Sequence, residues 1–359
     1  MMKIVVINPG STSTKIALFD NTTELFEKTI RHSEQELSPF NDIMDQFDFR
    51  LRSIIETLEQ ADCSLQSIDA VIGRGGITKP IPSGVYRVNQ KLCDELQNAP
   101  LHHASNLGGL IASKLASEAS TAEHTVPAFI ADPVVVDEMQ EVARLTGLPE
   151  ISRRSIFHAL NQKAVARRYA NSVGKEYEQM NIIVAHMGGG ISIGAHRNGM
   201  VIDVNNALDG EGPFSPERAG SVPAGDLVRL CFSGRYTQKQ IEKMICGQGG
   251  VMAHLKTNDI RGVRQKALDG DSECKLIMDA IAYNTAKSIG AMAATLEGKV
   301  DAIIITGGLA YGEMTCDYIR RMVEFIAPVV VMAGEDEMSA LAENAVRALT
   351  NPESVKEYE

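Results

Sequence analysis

Residues 3–20 read K-I-V-V-I-N-P-G-S-T-S-T-K-I-A-L-F-D. Two apolar runs flank a turn of proline, glycine, serine and threonine, which is the pattern of a hairpin ending in a further turn at Asn21. The small residues of the turn let an anion approach backbone N–H groups. With the turn's three or four hydroxyls and the Lys15 ammonium they form a set suited to a polyphosphate. A glycine-serine turn alone is as good a plain surface hairpin.

The design returns at 182–199 as I-I-V-A-H-M, then G-G-G, then I-S-I-G-A-H-R-N-G. A repeat in the same strand context favours a shared ligand over two unrelated turns. A third strand running into glycines, D-A-I-I-I-T-G-G at 301–308, follows an alanine-rich helical stretch from about Leu276 to Leu296. Neither a Walker loop nor a dinucleotide fingerprint is present, so those nucleotide folds are disfavoured.

Between the turns, Ser38 suits a helix N-cap and Pro39 a first turn. Phe40, Ile43, Met44, Phe47, Leu51, Ile54, Ile55 and Leu58 follow at helical spacing. A short strand at 68–72 runs into the loop G-R-G-G at 73–76, residues 107–119 read as helix and 126–130 as strand. Ala131-Asp132-Pro133 breaks that strand and closes a first domain.

The chain has 359 residues, more than one core comfortably holds, so two domains or a duplicated one is expected. Hydrophobic residues are 44% and charged residues 23%, ordinary proportions for a globular chain. A net charge of −11 with no basic stripe argues against a nucleic-acid partner. The apolar runs fall short of the roughly 20 residues that span a bilayer, and the N-terminus lacks a signal-peptide pattern, which points to a cytoplasmic protein. Six cysteines lie scattered without metal-ligand spacing and read as reduced.

Two strand-hairpin turns with a later glycine pair are similar to the layout of the superfamily of acetate kinase, sugar kinases, actin and heat-shock ATPases. Members other than the acyl kinases carry an aspartate where Asn8 stands. The match continues through G-R-G-G (73–76), A-P-L-H-H-A-S-N-L-G-G (99–109), F-I-A-D-P-V-V-V-D-E-M (129–139) and R-R-S-I-F-H-A-L-N-Q-K (153–163). It goes on through H-M-G-G-G-I-S (186–192), D-G-E-G-P-F-S-P-E-R-A-G (209–220), I-T-G-G-L-A (305–310) and A-G-E-D-E-M-S-A-L-A (333–342). Over nearly the whole chain this series resembles the butyrate-using branch of the acetokinase family.

The resemblance implies an α/β fold of two duplicated ribonuclease-H-like, actin-like ATPase domains, with mixed sheets flanked by helices and the active site in the interdomain cleft. The domains would be 1–132 with about 338–359, and 133–337. It implies ATP-dependent phosphorylation of a short-chain carboxylic acid, butyrate first, with acetate, propionate and branched acids as alternatives. By the same resemblance Arg218 and His158 hold the transferring phosphoryl group, and Arg74 faces that group or the substrate carboxylate.

Asp132 lies near the carboxylate and the Mg2+, or forms a plain Asp-Pro turn. A late glutamate serves the metal, Glu337 being preferred over Glu335. Asn8, Ser11, Ser13 and Lys15 line one side of ATP or ADP, and His186 with Gly188, Gly189 and Gly190 the other. Gly307, Gly308, Asp259 and Arg261 lie at the adenosine. Gly73 stands where acetate kinases carry a valine, which implies room for a longer acyl chain. A homodimer or higher homo-oligomer is implied. The rival of another class is an actin- or chaperone-like ATPase driving a protein partner, for which no additional binding region is evident.

Overall fold

β1 (Lys3–Pro9) is buried on both faces and reverses through Gly10 into β2 (Ser13–Asp20), with Ile7 opposite Ile16 and Asn8 opposite Lys15. Asn21 takes a left-handed φ of 54°, and a third strand, β3 (Thr23–Arg31), runs back along β2. On the other side of β1 lie β4 (Ala70–Arg74) and then β6 (Ala128–Ala131), both parallel to it. β5 (Val85–Arg87) and the C-terminal β12 (Lys356–Glu357) extend this edge, giving the order β12-β5-β6-β4-β1-β2-β3. The structure, a computed structural model, describes residues 2–99 and 101–359. Met1, and Pro100 of the 99–109 segment, lie outside the described residues.

The helices of this unit are α1 (Glu34–Leu37), α2 (Phe47–Gln60), α3 (Gln90–Gln97) and α4 (Asn106–Ala119). α2 and α4 cover one face of the sheet, where Leu51, Ile54, Leu58, Leu107, Ile111 and Leu115 pack on Val5, Ile7, Ile16 and Leu18. The helix expected from Ser38 begins later. Ser33 forms a capping box with Glu36 and starts α1, which Ser38 ends, while Asp42 caps a separate 3-10 turn at Ile43–Gln46. The Asp42 cap thus divides an apolar pattern that periodicity alone reads as continuous.

The second unit repeats the first. β7 (Asn181–Met187), β8 (Ile191–Arg197) and β9 (Met200–Val204) form the antiparallel set, and β10 (Ala302–Gly307) and β11 (Val329–Ala333) run parallel to β7. The order β11-β10-β7-β8-β9 is that of β6-β4-β1-β2-β3. Its helices are α5 (Glu141–Arg144), α6 (Ala159–Ser172), α7 (Ala224–Cys231), α8 (Gln238–Ile245), α9 (Gly250–Leu255), α10 (Ile260–Leu268), α11 (Ser272–Thr295) and α12 (Glu313–Val323). α11 and α12 pack on one face of the sheet through Ile281, Ile289 and Ile319. α6 packs on the other through Val165, Ala166 and Ala170 against Ile182, Val184 and Ile304.

The chain divides into compact units at 1–136 with 336–359, and at 137–335. α13 (Glu337–Thr350) returns the chain to the first unit and contacts β1 and β4. Its buried face, Ala340, Leu341, Ala342, Ala345 and Ala348, is built mainly from small residues. Among the described residues no helix is long and apolar enough to cross a membrane.

The strand expected at 68–72 lies at Ala70–Arg74, so Gly73 and Arg74 belong to it and not to the following loop. This corrects the reading of Gly73. A Cβ built there would stand 2.1 Å from the carbonyl oxygen of Gly108, and one on Gly108 would stand 2.3 Å from the carbonyl oxygen of Arg74. The two glycines let β4 and α4 touch backbone to backbone. The space that a side chain at 73 would occupy is filled by a helix, and none is left for an acyl chain.

Gly73→Ala should lower the unfolding free energy by about 1–3 kcal/mol, or more, through overpacking, read by urea titration, with no change in acyl-chain preference. His196, fully buried in β8, has its pKa pushed down to about 3, first by burial and then by the Lys163 ammonium. The unfolded chain takes up this proton near pH 6.5 while the fold refuses it, so the stability present above 6.5 is lost as pH falls toward 3. The slope for this one group is about 1.4 kcal/mol per pH unit, and His196→Asn should remove it from a pH series of unfolding curves.

Candidate active site

Asn8, Arg74 and Asp132 in the first unit, and His186 and Gly307 in the second, stand at the carboxyl ends of the parallel strands of their own sheets, where open α/β sheets bind ligands. In the first unit β1, β4 and β6 are adjacent, with Ile7 beside Gly73 and Arg74 beside Ala131. Asn8, Arg74 and Asp132 therefore stand at three neighbouring strand ends. Asn8 Nδ2 donates to Glu337 Oε2 at 2.7 Å, and Arg74 Nη1 forms a short ion pair with the same oxygen. Glu337 lies in the first turn of α13, whose N-cap is Asp336. Asn8, Arg74 and Glu337 are thus one cluster.

Asp132 is buried, with a left-handed φ of 39° before Pro133, and its Oδ1 accepts the N–H of Gly84 at 2.7 Å. The turn and the carboxylate at a strand end are both present in the same residue. Lys15 sits across from Asn8 on β2 and pairs with Glu27 on β3 at 3.2 Å. Ser11 is exposed at the tip of the turn and Ser13 half-buried at its exit.

Arg50 carries no expected role, yet it organises this turn. Its side chain is fully buried. Nη1 donates to the carbonyls of Gly10 at 2.8 Å and Ser13 at 2.9 Å, and Nη2 to that of Ser11 at 2.9 Å. The N–H of His32 donates to the carbonyl of Thr12 at 2.9 Å. Every carbonyl from residue 10 to 13 is therefore taken within the protein. A turn held this way offers an anion N–H and hydroxyl groups without competing carbonyl dipoles. Gln46 Oε1 receives Nε and Nη2 of Arg50 at 3.0 and 2.8 Å. Burial lowers the guanidinium pKa to about 10, which still leaves it charged at neutral pH. The signal was available in the sequence, since Arg50 falls on the apolar face of α2 between Phe47 and Leu51.

In the second unit the corresponding strand ends are His186 on β7, Gly307 on β10 and Ala333 on β11. His186 is buried, donates through Nδ1–H to Asn161 Oδ1 at 2.8 Å, and its Nε2 lies 3.2 Å from Glu335 Oε1. His158, at the N-terminus of α6, stacks on it with ring centroids 3.8 Å apart and planes 9° from parallel.

The glycine turn follows. A Cβ on Gly188 would lie 2.4 Å from Glu335 Oε1, and one on Gly190 1.7 Å from Arg218 Nη1. Both glycines make room for site side chains, whereas Gly189 is exposed with open space around it. Ser215 Oγ donates to the Gly189 carbonyl at 2.6 Å, and the Gly188 N–H to the Gly190 carbonyl at 2.9 Å. Arg218 Nη1 is steadied by the carbonyl of Ala207 at 2.7 Å.

Gly307, at φ 88°, packs against the backbone of Met187 and exchanges two hydrogen bonds with Gly334, while Gly308 faces open space. Asp259 caps α10 by accepting the N–H of Gly262, and Arg261 is exposed in the same turn. Arg264, one turn on, borders Gly312, so α10 lies beside the segment that follows Gly308.

No group of three or more His, Cys, Asp or Glu side chains able to hold a metal stands among the described residues. Glu335 and Glu337 bracket the point where the chain passes from one unit to the other. One or two such carboxylates suit a Mg2+ that arrives with phosphate and keeps several waters.

The chain matches the Acetokinase family over residues 3–355. It is 55% identical to butyrate kinase 1 of Clostridium acetobutylicum over 359 residues, covering all of both chains. It is 54% identical to butyrate kinase 2 of the same organism over 357 residues, 99% of each chain. Among solved structures it is similar to Porphyromonas gingivalis acetate kinase, with a TM-score of 0.78 at 21% identity over 96% of this chain and 99% of that one. A propionate kinase from Francisella tularensis gives a TM-score of 0.74 at 20% identity over the same shares. At such identities the likeness shows the fold, which is the α/β fold that the resemblance implies.

Arg50→Lys retains a charge but not a fork that can reach Gly10, Ser11 and Ser13 together. The unfolding free energy should fall by on the order of 2–3 kcal/mol, measured by urea titration, and the turn should exchange its amide hydrogens faster than in the wild type.

Proposed function

The chain belongs to the acetokinase family, and from that premise we propose that it transfers the γ-phosphoryl group of ATP to the carboxylate of butyrate, giving butyryl phosphate and ADP. The observation that carries this reading is identity of 54–55% with two butyrate kinases over 99–100% of each chain. The reading includes Mg2+ with the nucleotide, a small carboxylic acid as substrate, a cytoplasmic location and a homo-oligomer.

A carboxylate oxygen attacks phosphorus as the bond to the ADP oxygen breaks, and the electron pair leaves with ADP. Both reactants are anionic, so the protein must offset their repulsion and stabilise the three equatorial oxygens in flight. Arg218 takes that role with His158. Its guanidinium occupies the space that Gly190 leaves at the second glycine turn, which supports a cation held against a phosphate loop. Arg74 orients the acid or the phosphoryl group, while its pairing with Glu337 fixes its direction.

The first turn, through Asn8, Ser11, Ser13 and Lys15, binds the polyphosphate. Its carbonyls are held by Arg50 and His32, which supports donor groups facing the anion. His186 and Gly188–Gly190 serve the nucleotide on the second unit, with Gly307, Gly308, Asp259 and Arg261 toward adenosine. Glu337, with Asp132, is assigned to Mg2+, which when bound neutralises phosphate charge. The transfer is reversible, since an acyl phosphate is itself a strong phosphoryl donor. The preference for four carbons rests on the relatives and not on Gly73.

Hydroxamate trapping with Mg-ATP across acetate, propionate, butyrate, isobutyrate and valerate should give its maximum at butyrate. A maximum at acetate would remove the four-carbon assignment and leave the acyl kinase. ADP release with no trapped product for any acid would replace the reading with a partner-driven ATPase. Arg218→Lys should lower kcat by about 10²–10³-fold with the KM for butyrate changed only a few-fold.

A further inference from the structure

Behind His158 runs a chain of buried hydrogen bonds whose direction can be worked out from one carbonyl. The side-chain amide of Gln162 lies 3.0 Å from the backbone oxygen of Ser192. A carbonyl only accepts, so the amide atom there is the nitrogen. The same Nε2 donates to Ser192 Oγ at 2.8 Å. Gln162 Oε1 then faces His196 Nε2 at 3.0 Å and must receive a proton from it. His196 Nδ1 is left as an acceptor, and the Tyr177 hydroxyl donates to it at 2.7 Å. The strong depression of the His196 pKa by burial agrees with this neutral form.

At the other end, Ser192 Oγ accepts Gln162 Nε2 and, at 3.4 Å, the backbone N–H of His158. With both lone pairs engaged, its proton points to His158 Nδ1, 2.8 Å away. That nitrogen must be bare, and the ring proton of His158 sits on Nε2. Tyr177 is 3% exposed and His196, Gln162 and Ser192 are 0% exposed, so water does not compete for these bonds.

We propose that Ser192, Gln162, His196 and Tyr177 are positioning residues that hold His158 as its Nε2–H tautomer, a donor toward the transferring phosphoryl group. The proposal rests on the phosphoryl role given to His158 above. The chain sets which nitrogen carries the proton, and the stack on His186 sets the plane of the ring. Aligned donors reinforce one another along such a network in a low-dielectric interior. The chain spans α6, the turn before β7, and β8, so the tautomer of one exposed-edge histidine is set by residues that never meet a ligand.

The test is long-range 1H–15N correlation on the full chain labelled with 15N-histidine, with His158→Ala used to identify the resonance. Wild-type His158 should show Nε2–H and an unprotonated Nδ1. A mixture of tautomers, or Nδ1–H, overturns the proposal without any variant. Gln162→Glu replaces the donor with an acceptor and draws the Ser192 proton away, so the fixed tautomer should be lost. Its kcat should fall about tenfold or more, as for partners behind functional histidines, with the KM for ATP within about twofold of wild type. Should Gln162→Glu not fold, Ser192→Ala gives the same reading by removing the hydroxyl itself. An unchanged tautomer and kcat in a folded variant would reduce the chain to packing. Full activity in His158→Ala would instead withdraw the phosphoryl role of His158 while leaving the measured tautomer intact.

Discussion

The Arg50 guanidinium lies with no exposed surface behind the turn at 10–13 and draws three of its carbonyls inward. A short loop bound for a polyphosphate faces an electrostatic conflict, because each N–H it offers is bonded to a carbonyl of opposite dipole. Removing those carbonyls from the binding side requires a multi-pronged donor inside the protein. Arg50 supplies it at the cost of desolvating a charge, which its five protein acceptors offset. The position of α2 against the hairpin follows from where that side chain must reach.

The second unit solves the same conflict without a buried charge. Its turn is three glycines, the Gly189 carbonyl is held by the Ser215 hydroxyl, and the Gly190 carbonyl is closed onto the Gly188 N–H. The cation on that turn, Arg218, stands at its edge, where the first unit keeps Arg50 inside. Identical strand order in the two sheets therefore carries two local solutions, one giving a structural arginine and one a candidate catalytic arginine. This divergence is a reason to treat the duplicated halves as separately specialised.

Much of the fold was legible because the strands that carry it are apolar runs ending in glycine. β3 was not, since T-E-L-F-E-K-T-I-R is an edge strand exposed except at Phe26 and Ile30, which are half-buried against the core. β9 had a signal in the Asn198-Gly199 dipeptide, which favours a hairpin and therefore a following strand. At the site, Arg218, His158, Arg74 and Glu337 were marked by their motifs, and the structure sets Arg74 with Glu337 and Asn8, and His158 with His186.

The burial of Arg50 and the chain behind His158 were harder to see, because a polar side chain in a helix pattern shows its partners only in three dimensions. The glycines of G-R-G-G suggest a loop, yet Gly73 belongs to β4 and answers to helix packing. Periodicity reports which way a residue faces and is silent on how closely two backbones approach.

The glycines of this protein differ in what they permit over evolutionary time. Gly190 is kept small by a side chain, that of Arg218, and a side chain can be exchanged or turned. Drift there is conditional, with one substitution opening the way to another. Gly73 and Gly108 each press on main-chain carbonyls, which no substitution removes. A side chain at either position therefore requires the main chain of α4 to stand further from β4, whatever the chemistry the enzyme performs. Where a relative carries a side chain at the place of Gly73, the difference reports first on the spacing of that strand and helix, and only through it on the substrate.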